Sequence, residues 1–153
     1  MSRSKVRLLH GPPNFVKNYE LIEHTADVGI RVKGKELKDL FVNAALAMFD
    51  IMAQPKSKVP LRLEKVKVTQ EADTLEDLFI GWLNELLSLS ATKEIVFSSF
   101  NIILLGQHNI EAEALGGHFK DFAIEKEIKA ATYHQLKVEQ TDSGWIAEVI
   151  LDV

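Results

Sequence analysis

Residues 36–52 read ELKDLFVNAALAMFDIM. Leu37, Leu40, Phe41, Ala44, Ala45, Met48, Phe49 and Met52 fall at i, i+3, i+4, i+7, i+8, i+11, i+12 and i+15. An α-helix turns once per 3.6 residues, so these side chains share one face. A strand repeats every second residue and would scatter them over both faces. The stretch therefore predicts an amphipathic helix with a core-facing stripe, and a helix of that kind needs a second layer to pack on.

Outward from it, a second helix is predicted at about residues 75–90, LEDLFIGWLNELLSLS, where Leu75, Leu78, Phe79, Trp82, Leu83 and Leu86 repeat the pattern. Asp73 or Thr74 is positioned to cap it with a side-chain oxygen, and Glu76, three residues after Asp73, makes the entry resemble a capping box. The remainder reads as strand. Residues 61–69 alternate, with a phase slip between Leu63 and Val66 that suggests a bulge. Residues 95–104 and 109–115 flank a turn at 106–109, and residues 124–139 and 145–151 pair across the hairpin loop TDSG. The last strand, WIAEVILD, is apolar at almost every position, so it is expected in the centre of its sheet and covered on both faces. Two helices among about seven strands that come mostly in runs predict an α+β fold. Its form is a layered sandwich of mixed or antiparallel β-sheet with two main amphipathic helices.

The chain has 153 residues, 46% of them hydrophobic, which suits one domain with a substantial core. No apolar run approaches the roughly 20 residues of a membrane span. There is no cysteine, so disulfides, thiolate zinc sites and a cysteine nucleophile are excluded. That composition fits a cytoplasmic protein. Net charge is −4, but residues 1–18 hold Arg3, Lys5, Arg7 and Lys17 and no acid, which leaves 14 basic against 22 acidic residues beyond them. An acidic body of this kind favours cations and basic protein surfaces over phosphate backbones. Residues 1–18, with Gly11-Pro12-Pro13, read as a loose basic arm, and residues 19–153 as the domain.

Most familiar chemistry is missing. Gly29, Gly34 and Gly116-Gly117 build no phosphate cradle, and there is no GxSxG, HExxH or EF-hand loop. His10, His108 and His118 lie in the arm or near turn signals and read as solvated. Ser88, Ser90, Ser98 and Ser99 have no evident base partner, and Trp82 and Trp145 sit on apolar stripes as core residues. Two places stand out. In residues 19–31, YELIEHTADVGIR, Asp27 stands in a break between strand-like runs with His24 three residues before it. Both are equally at home in a local turn, bonding nearby backbone N–H groups. At the other end, VILDV sets Asp152 beside the Val153 α-carboxylate, either as a solvated strand end or as a pair of anions whose repulsion a hard divalent cation relieves. If Asp27 arrives at the same sheet edge, three anionic groups converge.

Three motifs in order carry a family resemblance: HTAD at residues 24–27, DTLEDLFIGWLNELL at 73–87 and EIKAATYHQLKVEQTDSGWIAEVILDV at 127–153, with an aspartate in the penultimate position. The chain from about residue 19 to residue 153 resembles archease proteins. The resemblance implies a small α+β fold and a protein that is itself not an enzyme. It implies an activator of the GTP- and manganese-dependent RNA ligase that joins tRNA exon halves and repairs RNA, promoting guanylylation of the ligase histidine and many turnovers. It also implies a metal site at Asp27, Asp152 and Val153. With oxygen donors only, calcium is expected ahead of magnesium or manganese. His24 is a candidate to orient Asp27 through a hydrogen bond. Lys129 and His134, in KAATYH, are candidates for contact with the ligase, although an ordinary strand accounts for them as well. The expected partner is the ligase, with tRNA or RNA met indirectly and no membrane. Two other classes of function remain open: a chaperone-like module for RNA-modifying enzymes, and a small metal-dependent phosphohydrolase or nuclease. The second lacks an obvious general base.

Overall fold

The stripe at 36–52 forms α1, Leu37–Met52. The computed structural model describes residues 6–7, 19–23, 27–57 and 62–153. Leu40, Phe41, Ala44, Ala45, Met48, Phe49 and Met52 are buried, and Leu37 packs against the core from its margin. Ala47 is buried too, which widens the apolar arc to about 200° at 100° per residue. The extra width has a cause: α1 touches two sheets at once. The helix starts at Glu36, whose backbone N–H donates to Asp39 Oδ2 at 2.9 Å.

The second helix, α2, runs Leu75–Lys93. Its cap is Thr74, whose Oγ1 accepts from the Asp77 N–H at 3.1 Å, so the entry is shifted one residue from the expected Asp73–Glu76 pair. It also outlasts the predicted end at residue 90. Ser90 is buried and its hydroxyl donates to the Ile95 carbonyl at 2.5 Å, so it ties the helix to the next strand rather than stopping it. Termination falls to Glu94, held in the left-handed region at φ 56° where glycine is the usual residue.

The strands are β1 (Val6–Arg7), β2 (Tyr19–Glu23), β3 (Val28–Gly34), β4 (Ala53–Pro55), β5 (Glu64–Glu71), β6 (Ile95–Leu105), β7 (Asn109–His118), β8 (Phe122–Ile124), β9 (Ala130–Thr141) and β10 (Gly144–Asp152). They form a five-stranded sheet, β1-β2-β3-β10-β9, a three-stranded sheet, β5-β7-β6, and a ribbon, β4-β8. Every pairing is antiparallel. Helix α1 packs on β3 and β10 of the large sheet and on β6 of the small one; α2 packs on β9 and on β5, β6 and β7. The helices are thus a middle layer between two sheets. Edge-on aromatic pairs knit that layer: Phe41–Phe79 at 5.3 Å, Phe49–Phe97 at 5.5 Å and Trp82–Phe100 at 5.8 Å between centroids. Trp82, fully buried, donates its indole N–H to the Phe41 carbonyl at 2.9 Å and locks α2 to α1.

Three expectations change in detail. β5 pairs with β7 in unbroken register from Glu64 to Glu71, so the slip near Leu63 marks the start of a strand and not a bulge. The run at 124–139 is split: β8 ends at Ile124 and β9 begins at Ala130. β10 is central, between β3 and β9, but only one of its faces is fully covered. Ala147, Val149 and Leu151 point into the helices and are buried. The opposite face carries Glu148, bound to Arg31 Nε at 2.7 Å, with Glu20 at 3.3 Å on the same guanidinium. An ion triad with half-exposed side chains takes the place of a second apolar layer there. Of the arm expected at 1–18, the described part is Val6–Arg7, which pairs with Ile22 and Leu21; the remainder lies outside the described residues.

Candidate metal centre at the end of the central strand

Asp27 is the bend residue immediately before β3, and Asp152 is the last residue of β10. The β3–β10 ladder pairs Ile30 with Val149, Gly29 with Ile150 and Val28 with Leu151. The next residues beyond that last pair are Asp27 and Asp152, with Asp27 in a bend just outside the ladder. Side chains alternate along a strand, and Leu151 and Val28 face the helices, so the positions of Asp27 and Asp152 fall on the outer side of the sheet. Asp27 is half-buried and Asp152 exposed. Val153 follows directly and packs against the core.

On the other flank of β10, Ala130 pairs with Asp152, and the Lys129 N–H donates to the Asp152 carbonyl at 2.8 Å. Lys129 is therefore adjacent to the acidic rung, with an exposed side chain. His134 is not: it lies four residues along β9, roughly 13 Å at strand spacing. It sits in a bulge where the register jumps from Glu148–Lys137 to Ile150–Thr132, so that residues 133–136 oppose Val149 alone. Gln135 in that bulge has φ 53°, and Tyr133, His134 and Gln135 are exposed. His24 lies outside the described residues, as does His10. His108 and His118 are exposed and occupied locally: His108 Nδ1 is 3.2 Å from the Ala72 carbonyl, and His118 Nδ1 accepts from the Lys120 N–H at 3.1 Å.

Sequence reasoning missed the residue that holds this corner. Asn84, on α2, donates from Nδ2 to the Ala131 carbonyl at 3.1 Å and accepts the Ala131 N–H on Oδ1 at 2.8 Å. Its amide acts as one residue of a sixth strand and closes the free edge of β9 beside the acidic rung. The signal was an asparagine among the apolar positions of WLNELL. Two further bonds brace the same corner. The Thr132 hydroxyl donates to the Ile150 carbonyl at 2.8 Å, and the Tyr133 hydroxyl donates to Asp77 at 2.7 Å. That last bond, ahead of burial, raises the Tyr133 pKa above its ordinary value.

The donor set fits a hard cation: two carboxylates at the end of the β3–β10 ladder and a third group from the adjoining residue, all oxygen. Among the described residues, no three Asp, Glu or His side chains gather into a metal-holding group. A separate open cleft of about 670 Å³ lies at the other end of the β9–β10 hairpin, lined by Lys33, Lys35, Asn43, Thr141, Ser143 and Trp145. Trp145 and Asp152 are seven residues apart on β10, roughly 23 Å. Among the described residues, no helix is long and apolar enough to cross a membrane.

Comparison with known proteins supports a single family. Residues 19–153 match the model of the Archease protein family (MTH1598/TM1083). The chain is 38% identical over 143 residues to protein archease of Methanosarcina barkeri, covering 90% of this chain and 97% of that one. It is 33% identical over 144 residues to protein archease of Pyrococcus furiosus, covering 90% and 100%. The solution structure of protein 1598 from Methanobacterium thermoautotrophicum superposes with a TM-score of 0.72 at 32% identity, over 90% of this chain and all of that one. The crystal structure of an archease described as a possible chaperone, from Thermotoga maritima, gives 0.61 at 22% identity over 96% and 99%, a likeness of fold. Fold, motif order and sequence identity over nearly the whole length agree, and this chain belongs to the archease family.

Proposed function

We propose that this chain is a non-enzymatic activator of a GTP- and manganese-dependent RNA ligase of the tRNA-splicing type. It promotes guanylylation of the ligase's active-site histidine and allows repeated turnover. The observation that supports this most is the β3–β10 register, whose last pair, Val28 with Leu151, immediately neighbours Asp27 and Asp152. Asp27, Asp152 and the Val153 carboxylate hold a divalent cation, calcium ahead of magnesium or manganese. The bound cation supplies positive charge that neutralises three converging anions. The chain's own groups do the remainder: Asn84 and Thr132 fix β9 against α2 and β10, and Val153 seats the terminus in the core. The acidic body docks on a basic ligase surface, where complementary charge speeds encounter. Lys129 and His134, both exposed on β9, are the contact residues to test first.

The test mixes the purified chain with its cognate ligase, GTP, Mn²⁺ and broken RNA, and follows ligase guanylylation and joined product. Asp27→Ala and Asp152→Ala should each reduce stimulation at least tenfold while leaving the ligase's basal rate unchanged. Calorimetric titration with Ca²⁺ should show binding to the native chain and loss in both variants. Unchanged stimulation by Asp152→Ala removes the rung from the mechanism. A C-terminal tag, which converts the Val153 carboxylate to an amide, should weaken cation binding, and an N-terminal tag should not. The description of the Thermotoga relative as a possible chaperone favours a second reading. It predicts suppression of aggregation in unrelated clients, indifferent to Asp27→Ala.

A further inference from the structure

β6 is an edge strand of the β5-β7-β6 sheet, and among the described strands it bonds only to β7. From residue 95 to residue 110 there is no Asp, Glu, Lys or Arg, in a chain in which 26% of residues are charged. Two bulges leave Ser98 and Ile103 without partners on β7. Ile103 is 57% exposed and Leu104 beside it 48% exposed, although most large apolar side chains of the domain are buried. The other long edges are defended. β5 presents Glu64, Lys65, Lys67 and Glu71, and β9 carries Lys137 and Glu139 and is closed by Asn84. Charged residues are the usual guard against pairing between exposed edges, and β6 has none along its full eleven residues.

We infer that β6 is a self-pairing edge: two copies of this chain join through antiparallel β6–β6 contact about a twofold axis. A twofold interface matches a surface to itself, so any charge near the axis meets its own like. The chain is net negative, and most of its surface therefore repels a second copy. The uncharged strip is where two copies meet without opposing like charges. A basic partner gains nothing from this strip and is drawn to the acidic faces instead. Ser99 and Asn101 bring neutral side chains to the outer face of the paired strands, and Ile103 and Leu104 of each copy lose their water at its ends.

Sedimentation velocity and light scattering on the full-length chain, from about 1 μM to several hundred μM, test this. The expected result is a monomer–dimer equilibrium that strengthens with added salt, because salt screens repulsion between the acidic bodies. Asn101→Lys and Ile103→Lys, both at exposed positions, should each raise the dimer dissociation constant at least tenfold with unchanged circular dichroism. Thr69→Lys on the already charged β5 should not. Amides of residues 98–104 should exchange more slowly at high protein concentration in the native chain and not in the variants. A native chain that stays monomeric throughout overturns the inference, as does a dimer that salt weakens or that both lysine variants leave intact. So does protection of the β6 amides at every concentration, which would mean that another segment or ligand covers the edge.

Discussion

β9 and β6 are both edge strands of about a dozen residues, one in each sheet, and they are finished in opposite ways. At β9 the edge is closed from within the molecule. Asn84 supplies the missing backbone partner at Ala131, Tyr133 reaches back to Asp77, and a bulge at 133–136 turns the middle of the strand outward. At β6 the bulges push Ser98 and Ile103 out, and no charge follows to guard them. The difference teaches where each sheet is committed. Side chains from α2 hold the edge next to the acidic rung, so the rung is built on a fixed frame. The small sheet keeps its edge available for an intermolecular contact.

Removing the clasp should break this contrast most sharply. Asn84→Ala strips two hydrogen bonds from the buried Ala131 backbone, and unpaired buried groups cost about 1–3 kcal/mol each, so about 2–6 kcal/mol of stability should be lost. A urea melt should show a lower midpoint at unchanged slope, with amides near 130–132 exchanging faster. Thr132→Val removes one bond to the Ile150 carbonyl and should cost about 1 kcal/mol by the same measurement. Alkaline pH separates two tyrosines. Burial, with the hydrogen bond to Asp50 second, raises the Tyr19 pKa far above 10, whereas the exposed Tyr133 is raised chiefly by its bond to Asp77. Both hold their proton more tightly in the folded chain than in the unfolded one. Their contribution is therefore complete below pH 10 and lost as pH climbs through the raised folded values. Stability measured from pH 8 to 11 should decline at the alkaline end, and Tyr19→Phe should flatten that decline more than Tyr133→Phe. At the small end, Tyr133→Phe at neutral pH and Asn101→Lys on β6 should each shift stability by less than about 0.5 kcal/mol, since both sites face solvent. A large loss from Asn101→Lys in the monomer would mean that β6 is structurally closed after all.

The helices were legible because periodicity is a local property. The eight stripe positions from Leu37 to Met52 fall on one face whatever surrounds them. The misreadings came where a neighbour decided the outcome. The second helix was expected to end at about residue 90, but the Ser90 hydroxyl bonds the Ile95 carbonyl and the helix continues to Lys93. The apolar run of β10 suggested two covered faces, but Arg31 on β3 gives Glu148 a partner and sets a charged cluster beside the buried Ile150 on the outer face. The clasp of Asn84 on Ala131 joins residues 47 apart, so the asparagine in WLNELL marks the place but not the partner.

The order of residues alone determined the two helices, most of the strands, the acidic balance, the absence of thiol chemistry and, through three spaced motifs, the family. Those follow from side-chain chemistry and short-range repeat, which act within one or two turns of chain. Tertiary structure alone decided that Val28 and Leu151, the neighbours of Asp27 and Asp152, pair across β3 and β10, and that Asn84 clasps β9 while β6, among the described strands, bonds only to β7. Strand register and edge closure arise from hydrogen bonds between segments distant in the chain, and only folding brings those donors and acceptors within reach.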